Sequence, residues 1–262
     1  STWGSLSKMS VPIVQVLHDY YTLCPRSVLF KNGHRCESRC MSCKALRIGH
    51  PHMSKKLTGV ISVSRATLKI HEQYDMFNSV PIKRVIYNAR NMNISVRDRQ
   101  IKSASVFGFI GTLSPEKGID ILLDAIKPLF NKYPQVRLLV AGDGEPDYVK
   151  SLKESVVELP VDFVGRVNAF DFYAKLDVCV VPSICNEALG MVAFEALAHG
   201  VPVLGANRGG IPEIVIDGVN GLIFDSDSVS SLIEALTTLV QEPKLVRKLS
   251  SVANSSVEIL SQ

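Results

Sequence analysis

From residue 105 onward, short apolar runs alternate with longer segments in which apolar residues recur every three or four positions. The short runs are rich in Val, Ile and Leu, which is typical of strands buried on both faces of a sheet. The longer segments have the period of an amphipathic helix. Together they predict a parallel sheet with helices on both faces. The predicted strands are 106–111, 136–141, 161–165, 178–181, 201–204 and 222–224, and the predicted helices are 119–132, 147–158, 168–176, 191–199 and 229–240.

The first part of the chain has a weaker version of the same pattern. Residues 11–17, 58–64 and 84–88 are predicted strands, and 65–74 is a predicted helix. Residues 89–104 are polar and charged without a clear period, which is typical of a segment between domains. We therefore expect an α/β protein built from two units. The predicted domains are an N-terminal domain (1–96), a Rossmann-like domain (97–242) and a C-terminal helix (243–262).

The segment 181–200 has the most specific pattern in the chain. A buried strand stops at Pro182, and a helix is predicted from Met191. Such a strand, loop and helix N-terminus form an anion site, because the first helical N–H groups have no partner within the helix. Glu187 on the loop and Glu195 in the helix are at most roughly 12 Å apart. This arrangement favours an extended ligand with central phosphates and hydroxyls at both ends, although a lone Glu195 would more simply be a solvated helix residue.

The Glu-x7-Glu pattern is followed by Gly-Val-Pro-Val and then by Gly-Gly-Ile-Pro-Glu at 209–213. These motifs resemble the retaining glycosyltransferases of family 4, which have the GT-B fold, and the resemblance covers about residues 11–240. It implies that residues 1–96 are part of an acceptor-side domain and that residues 97–242 bind the nucleotide-sugar. It also implies that Glu187 binds the hydroxyls of the donor sugar and that Glu195 binds the ribose. The N–H groups near the diphosphate would be those of Gly190, Met191 and Val192.

A second loop follows the first predicted strand of the Rossmann-like domain, from Gly111 to Gly118. It contains Lys117 and leads into a helix, which suits it to hold a diphosphate. By resemblance, Gly111, Thr112 and Lys117 belong to the donor site, but the family usually has Arg at the position of Thr112. Full activity would therefore need another cation, and the sequence offers Arg166 or Arg208.

Two further strand ends are candidate site positions. The run 11–17 ends at His18, and ligands bind at the carboxyl ends of strands in open α/β sheets. A lone His is more often structural, but the resemblance implies that this one lines the cleft near the transferred sugar. It also implies that the backbone of Val167, after the strand 161–165, borders the nucleobase. The candidate catalytic residues are thus His18, Lys117 and Glu187, with no nucleophile assigned.

Four of the six cysteines, Cys24, Cys36, Cys40 and Cys43, lie within twenty residues in a C-x11-C-x3-C-x2-C pattern. Four thiolates so close in sequence predict a structural zinc site, with His34 as an additional candidate ligand. Two disulfides are an alternative, disfavoured because the chain has no secretory signal, and a reduced loop without metal is a third. The spacing alone leaves these alternatives open.

Charge is distributed unevenly along the chain. Residues 1–100 have a net charge of +11 and residues 101–262 of −7, which together give the overall +4. This asymmetry has two interpretations. It is either ordinary surface charge, or it serves to attract the first half of the chain to anionic lipid or to a phosphate-bearing acceptor. The sequence has no basic patch interleaved with aromatic residues, so it does not indicate binding to nucleic acid. No apolar run of 18 residues occurs, and the start suggests a piece of a longer protein.

The resemblance predicts a retaining glycosyltransferase that moves a sugar from UDP- or GDP-sugar to a glycan or lipid-linked acceptor, as in cell-envelope polysaccharide synthesis. The protein would be cytoplasmic, at the inner face of the membrane. Catalysis would need no metal cofactor, because Lys117 and a helix N-terminus meet the diphosphate charge. The alternative, motivated by Thr112, is a non-catalytic remnant that binds nucleotide-sugars.

Overall fold

The computed structural model describes residues 2–88 and 104–258, which form two parallel sheets with separate hydrophobic cores. The α/β architecture is as predicted. The expected domain boundary between residues 96 and 97 lies outside the described residues. The elements of the first part are α1 (Thr2–Leu6), β1 (Val14–Leu17), β2 (Phe30–Lys31), β3 (His34–Arg35), α2 (Met41–Leu46), α3 (His50–Ser54), β4 (Gly59–Ser62), α4 (Arg65–Gln73) and β5 (Ile82–Val85).

The second part alternates strand and helix from residue 106 to the C-terminal helix, with one short 3₁₀ turn at Pro115–Lys117. Its strands are β6 (Val106–Ile110), β7 (Arg137–Ala141), β8 (Val161–Gly165), β9 (Val178–Val181), β10 (Val203–Ala206) and β11 (Gly221–Phe224). Its helices are α5 (Ile119–Lys132), α6 (Pro146–Glu154), α7 (Ala169–Tyr173), α8 (Met191–Ala198), α9 (Ile211–Ile214), α10 (Val229–Gln241) and α11 (Pro243–Glu258).

In the first part, the strands predicted at 11–17, 58–64 and 84–88 are observed at Val14–Leu17, Gly59–Ser62 and Ile82–Val85. In the second part, three predicted elements differ from the observed ones by two or more residues. The strand predicted at 201–204 begins at Val203, because Pro202 has no N–H to donate to the sheet. The helix predicted at 147–158 ends at Glu154, and the backbone then reaches a positive φ of 70° at Glu158. The helix predicted at 168–176 covers only Ala169–Tyr173.

The large sheet is parallel, with the strand order β11-β10-β9-β6-β7-β8. Strands β9 and β10 are buried along their whole length because helices cover both faces, which explains their continuous apolar sequences. The chain runs outward from β6 through β7 and β8 and then returns to place β9 on the other side of β6. The switch point of the sheet therefore lies between β6 and β9, and loops at that position form ligand sites.

The small sheet has the parallel order β1-β4-β5 and packs on a core that includes Trp3, Leu17, Tyr20 and Phe77. The cysteine-rich segment forms the hairpin β2–β3 and the short helix α2. Periodicity did not predict them, because two-residue strands and a six-residue helix are too short to show a repeating apolar pattern.

Helix α4 joins the two sheets at their carboxyl edges. Its N-cap Ser64 donates a hydrogen bond to the carbonyl oxygen of Ala188 at 2.5 Å, and the Thr67 hydroxyl donates to the same oxygen at 2.9 Å. Ala188 is the residue after Glu187. The small sheet is therefore bonded directly to the loop that carries the most specific candidate residue.

Candidate functional site

A cavity of about 340 Å³ lies at the switch point, between the ends of β6 and β9 and the end of β1. Eight of the ten residues predicted for donor binding or catalysis line it, although they come from three separate segments of the chain. They are His18, Gly111, Thr112, Lys117, Glu187, Gly190, Met191 and Val192.

Lys117 and Glu187 form an ion pair on the wall of this cavity. The Lys117 Nζ lies 2.6 Å from Glu187 Oε1, and the Ser183 hydroxyl donates to the same oxygen at 2.7 Å. Burial disfavours the charged ammonium, but the Glu187 carboxylate outweighs this effect and raises the pKa of Lys117. Both side chains are only partly exposed, so solvent screens the pair less than a surface ion pair. The cavity thus has a cation and an anion side by side.

The loops that carry the two charged residues are bonded to each other. The N–H groups of Ile184 and Cys185 both donate to the carbonyl oxygen of Glu116, at 3.0 and 3.1 Å. Gly118 has a φ of +69°, and a Cβ at that position would lie 2.1 Å from the carbonyl oxygen of Pro182. Because only glycine allows both this backbone angle and this close approach, Gly118 brings the two loops into contact.

Helix α8 begins at this cavity. Gly190 precedes it with a φ of +92°, no side chain caps its first turn, and Gly190, Met191 and Val192 all line the cavity. The first N–H groups of the helix and its dipole make this end favourable for an anion. Lys117 lines the same space, so the two positive features can act on one group.

The Gly-Gly-Ile-Pro-Glu segment supports Glu187 from behind, a role that its sequence alone did not suggest. The Gly210 N–H donates to the Glu187 carbonyl oxygen at 2.8 Å. Gly209 has a φ of +52°, and a Cβ there would lie 2.0 Å from the same oxygen. The two glycines therefore fix the backbone position of Glu187.

A second, outer cavity of about 360 Å³ adjoins the first and shares Ile110, Gly111 and Thr112 with it. Its other lining residues are Gly142, Asp143, Arg166 and Val167. Val167, the predicted neighbour of the nucleobase, therefore lies beside the switch-point cavity rather than in it. The two cavities adjoin at these shared residues, as an extended ligand requires.

Of the two cations that the sequence offered in place of Arg at position 112, only Arg166 lies beside the site. Its guanidinium is highly exposed and lies 3.6 Å from the Asp143 carboxylate. Arg208 instead pairs with Asp227 and lines neither cavity. Arg208 is thus tied to the turn before α10.

Glu195 lies in α8, partly exposed, and is not among the residues that line either cavity. Its predicted contact with a ribose stays a prediction. The Asp225-Ser-Asp227 segment is a turn: the Asp227 N–H donates to Asp225 Oδ1 at 3.0 Å, and Ser228 caps α10.

The four clustered cysteines surround a separate cavity of about 150 Å³, and all four are free thiols. The Sγ atoms of Cys40 and Cys43 are 3.5 Å apart. A hydrogen bond with the Ser42 hydroxyl lowers the pKa of Cys40 to about 6, whereas burial raises that of Cys43 to about 12. Within residues 2–88 and 104–258, no group of three or more His, Cys, Asp or Glu side chains is arranged to hold a metal. The predicted zinc site has no support from this geometry.

In the part of the chain that the structure describes, no helix combines the length and apolar character needed to cross a bilayer.

The switch-point cavity, with its helix N-terminus and paired Lys and Glu, is typical of α/β proteins that bind anionic ligands at the carboxyl edge of a parallel sheet. The chain belongs to the group 1 glycosyl transferases, because the model described as Glycosyl transferases group 1 matches residues 104–242, more than half of its length. The predicted resemblance to this group is confirmed.

Curated relatives match between half and two thirds of the chain. An uncharacterized glycosyltransferase of Methanocaldococcus jannaschii is 35% identical over 173 residues, which cover 63% of this chain and 46% of the relative. The D-inositol 3-phosphate glycosyltransferase of Corynebacterium glutamicum is 34% identical over 148 residues, covering 52% of this chain and 35% of the relative. The chain thus spans about half or less of the length of these two relatives.

Solved structures resemble the whole described fold. The structure of HepE of Anabaena in complex with UDP has a TM-score of 0.79 and 25% identity, covering 100% of this chain and 73% of HepE. Its complex with UDP-glucose has a TM-score of 0.76 and 26% identity, covering 99% and 74%. Sucrose-phosphate synthase of Thermosynechococcus elongatus, at 20% identity and a TM-score of 0.78, supports the fold alone, over 99% of this chain and 66% of the synthase. These are GT-B glycosyltransferases, so the predicted fold class is confirmed.

Proposed function

We propose that the protein is a retaining glycosyltransferase that uses a UDP-sugar as donor. The observation that carries the proposal is the Lys117–Glu187 pair, at 2.6 Å, in a cavity that also receives the N-terminus of α8. A sugar diphosphate needs a cationic site and a hydroxyl-binding site a few ångströms apart, and this pair supplies both. The choice of UDP over GDP is supported by the complexes of HepE with UDP and UDP-glucose.

Donor binding would exchange the partners of this ion pair. The Lys117 ammonium turns from the carboxylate to the diphosphate, which the first N–H groups of α8 also bind. Glu187 then accepts hydrogen bonds from the sugar hydroxyls. When the sugar departs, negative charge develops on the nucleoside diphosphate, and Lys117 and the helix end stabilise it. Because both already contact the diphosphate once the donor is bound, little reorganisation is needed as the sugar departs.

His18 is the candidate contact from the small sheet. It follows β1 and lines the same cavity as Glu187, although the two residues belong to different sheets. We assign it a role in holding the transferred sugar or orienting the acceptor. No carboxylate is assigned as a nucleophile.

For the acceptor, we propose a glycan or lipid-linked sugar at the inner face of the cytoplasmic membrane. Met41, Leu46 and Ile48 are exposed to 82, 63 and 84% in the same segment as the exposed Lys44. Exposed apolar side chains interleaved with positive charge favour the surface of an anionic bilayer. A relative named as a lipopolysaccharide 1,2-N-acetylglucosaminetransferase, from Salmonella typhimurium, is 36% identical over 132 residues, or 46% of this chain and 35% of the relative, and supports a cell-envelope acceptor.

The test uses the full-length protein, since the chain spans only part of its relatives. Calorimetric titration with UDP and UDP-glucose should give saturable binding, and incubation with UDP-sugars should release UDP faster when a lipid-linked acceptor is added. No heat with UDP at millimolar concentration would overturn the proposal. Binding without turnover for any sugar would favour the non-catalytic binder suggested by Thr112.

A further inference from the structure

Cys40 and Cys43 form a close thiol pair outside the donor site. They stand in a Cys-x-x-Cys sequence at the start of α2, and their Sγ atoms are 3.5 Å apart. Both are free thiols. Their sulfur atoms would have to approach from this distance to about 2 Å to form the S–S bond of a disulfide. Because both residues belong to the first turn of α2, rotation of one cysteine side chain would bring the two sulfur atoms within bonding distance. The pair is therefore positioned for reversible oxidation.

The two thiols differ in their access to solvent. Cys43 is buried, whereas Cys40 is partly exposed and contacts the Ser42 hydroxyl at 3.1 Å. The adjacent cavity of about 150 Å³ is also lined by Arg26 and Lys31, which attract an anionic reagent. An accessible thiol beside a buried partner is the arrangement in which one sulfur is attacked first and the other resolves the product.

We propose that Cys40 and Cys43 are a redox-active dithiol that exchanges with small anionic disulfides such as glutathione disulfide. Cys40 loses its proton to solvent, and its thiolate attacks one sulfur of the reagent. The S–S bond of the reagent breaks, and one glutathione leaves and takes up a proton. Cys43 then loses its proton and attacks the Cys40 sulfur, which releases the second glutathione. Two cysteine thiols become one disulfide, and one glutathione disulfide becomes two thiols.

A tetrathiolate metal site is the competing interpretation of the same segment, because Cys24 and Cys36 line the same cavity. The geometry favours the pair. Within the two described segments, no group of three or more metal-ligating side chains is arranged to hold an ion. Cys43 also contacts Cys24, but Cys40 and Cys43 are the two thiols that lie together at the start of one helix.

The sequence allows a direct assay of the pair. Trypsin cleaves after Arg39 and Lys44, so both thiols fall in one peptide, 40–44, whereas Cys24 and Cys36 fall in others. After full-length, reduced protein is incubated with glutathione disulfide and its remaining thiols are blocked, most of peptide 40–44 should lack two hydrogens. The buried Cys179 and Cys185 should stay reduced, which checks that the protein remains folded.

Single variants identify the order of attack. Cys43→Ser should accumulate glutathione on Cys40, and Cys40→Ser should accumulate at least about tenfold less on Cys43. Three results would overturn the proposal. One is a stoichiometric zinc content, with thiols that react only after a chelator is added. The others are a cross-link from peptide 40–44 to another peptide, and thiols that remain reduced in the metal-free protein.

Discussion

The carboxylate of Glu213 accepts a hydrogen bond from the Tyr87 hydroxyl at 3.0 Å. This contact joins α9, beside the large sheet, to the segment that follows β5 of the small sheet. The same carboxylate accepts the backbone N–H groups of Arg65 at 2.9 Å and Ala66 at 2.7 Å, in the first turn of α4. Burial and then this carboxylate raise the pKa of Tyr87. A residue in α9 thus caps a helix of the other sheet and holds it against the loop of Glu187.

Replacing Glu213 by Ala should destabilise the protein. Three donors lose their acceptor, and we expect the free energy of unfolding to fall by about 2 kcal/mol. Urea denaturation measures this change. Glu234→Ala, at an exposed position of α10, is the matched control and should have little effect. Equal midpoints for the two variants would mean that Glu213 does not hold the sheets together.

Lys117 and Glu187 should affect different parts of the donor. Lys117→Met removes the ammonium assigned to the diphosphate, so UDP should bind about tenfold to a hundredfold more weakly. Glu187→Gln should leave UDP binding nearly unchanged and weaken UDP-glucose. Calorimetry with both ligands separates the two effects. Lys127→Met, which breaks an exposed ion pair with Asp124, is the control. If Glu187→Gln weakened both ligands equally, its assignment to the sugar would be wrong.

Arg166 should supply the positive charge that Thr112 lacks. Arg166→Ala is expected to weaken UDP several-fold but to leave uridine, which has no phosphates, unchanged. Adding Thr112→Arg to this variant should restore UDP affinity, because both positions line the outer cavity. Affinities of the wild type, of Arg166→Ala and of the double variant for both ligands test this. A loss that is the same for UDP and uridine would assign Arg166 to the nucleoside instead.

Buried His71 should make stability depend on pH. Burial lowers its pKa to about 4, although a hydrogen bond to the Thr67 carbonyl oxygen opposes this shift. His71 therefore takes up a proton near pH 6.5 in the unfolded chain, whereas in the folded protein it stays neutral until about pH 4. The contribution of neutral His71 to the free energy of unfolding is fully present above pH 6.5. It is lost as the pH falls, and at pH 4 the loss from His71 alone is about 3 kcal/mol. Urea titrations from pH 7 to 4 should show a smaller decline for His71→Asn than for the wild type.

Local sequence determined the elements of the second half and several loops of the site. The limits of β8, β9 and α5 follow directly from the apolar pattern, because a buried strand or helix face requires apolar side chains at fixed spacing. The loops of Gly111 and Glu187 were also recognisable, because they stand where a predicted strand ends and a helix begins. These properties depend on neighbours within a few residues.

Contacts between distant segments were decided only by the tertiary structure. Lys117 and Glu187 are seventy residues apart, and they meet because β6 and β9 are neighbours and Gly118 lets their loops touch. The same sheet order brings Arg166 beside Thr112 but leaves Arg208 facing Asp227. Hydrophobic periodicity specifies which face of an element is buried, whereas the order of strands depends on the packing of the whole chain. The sequence therefore determined which residues stand at strand ends, and the fold determined which of them share a cavity.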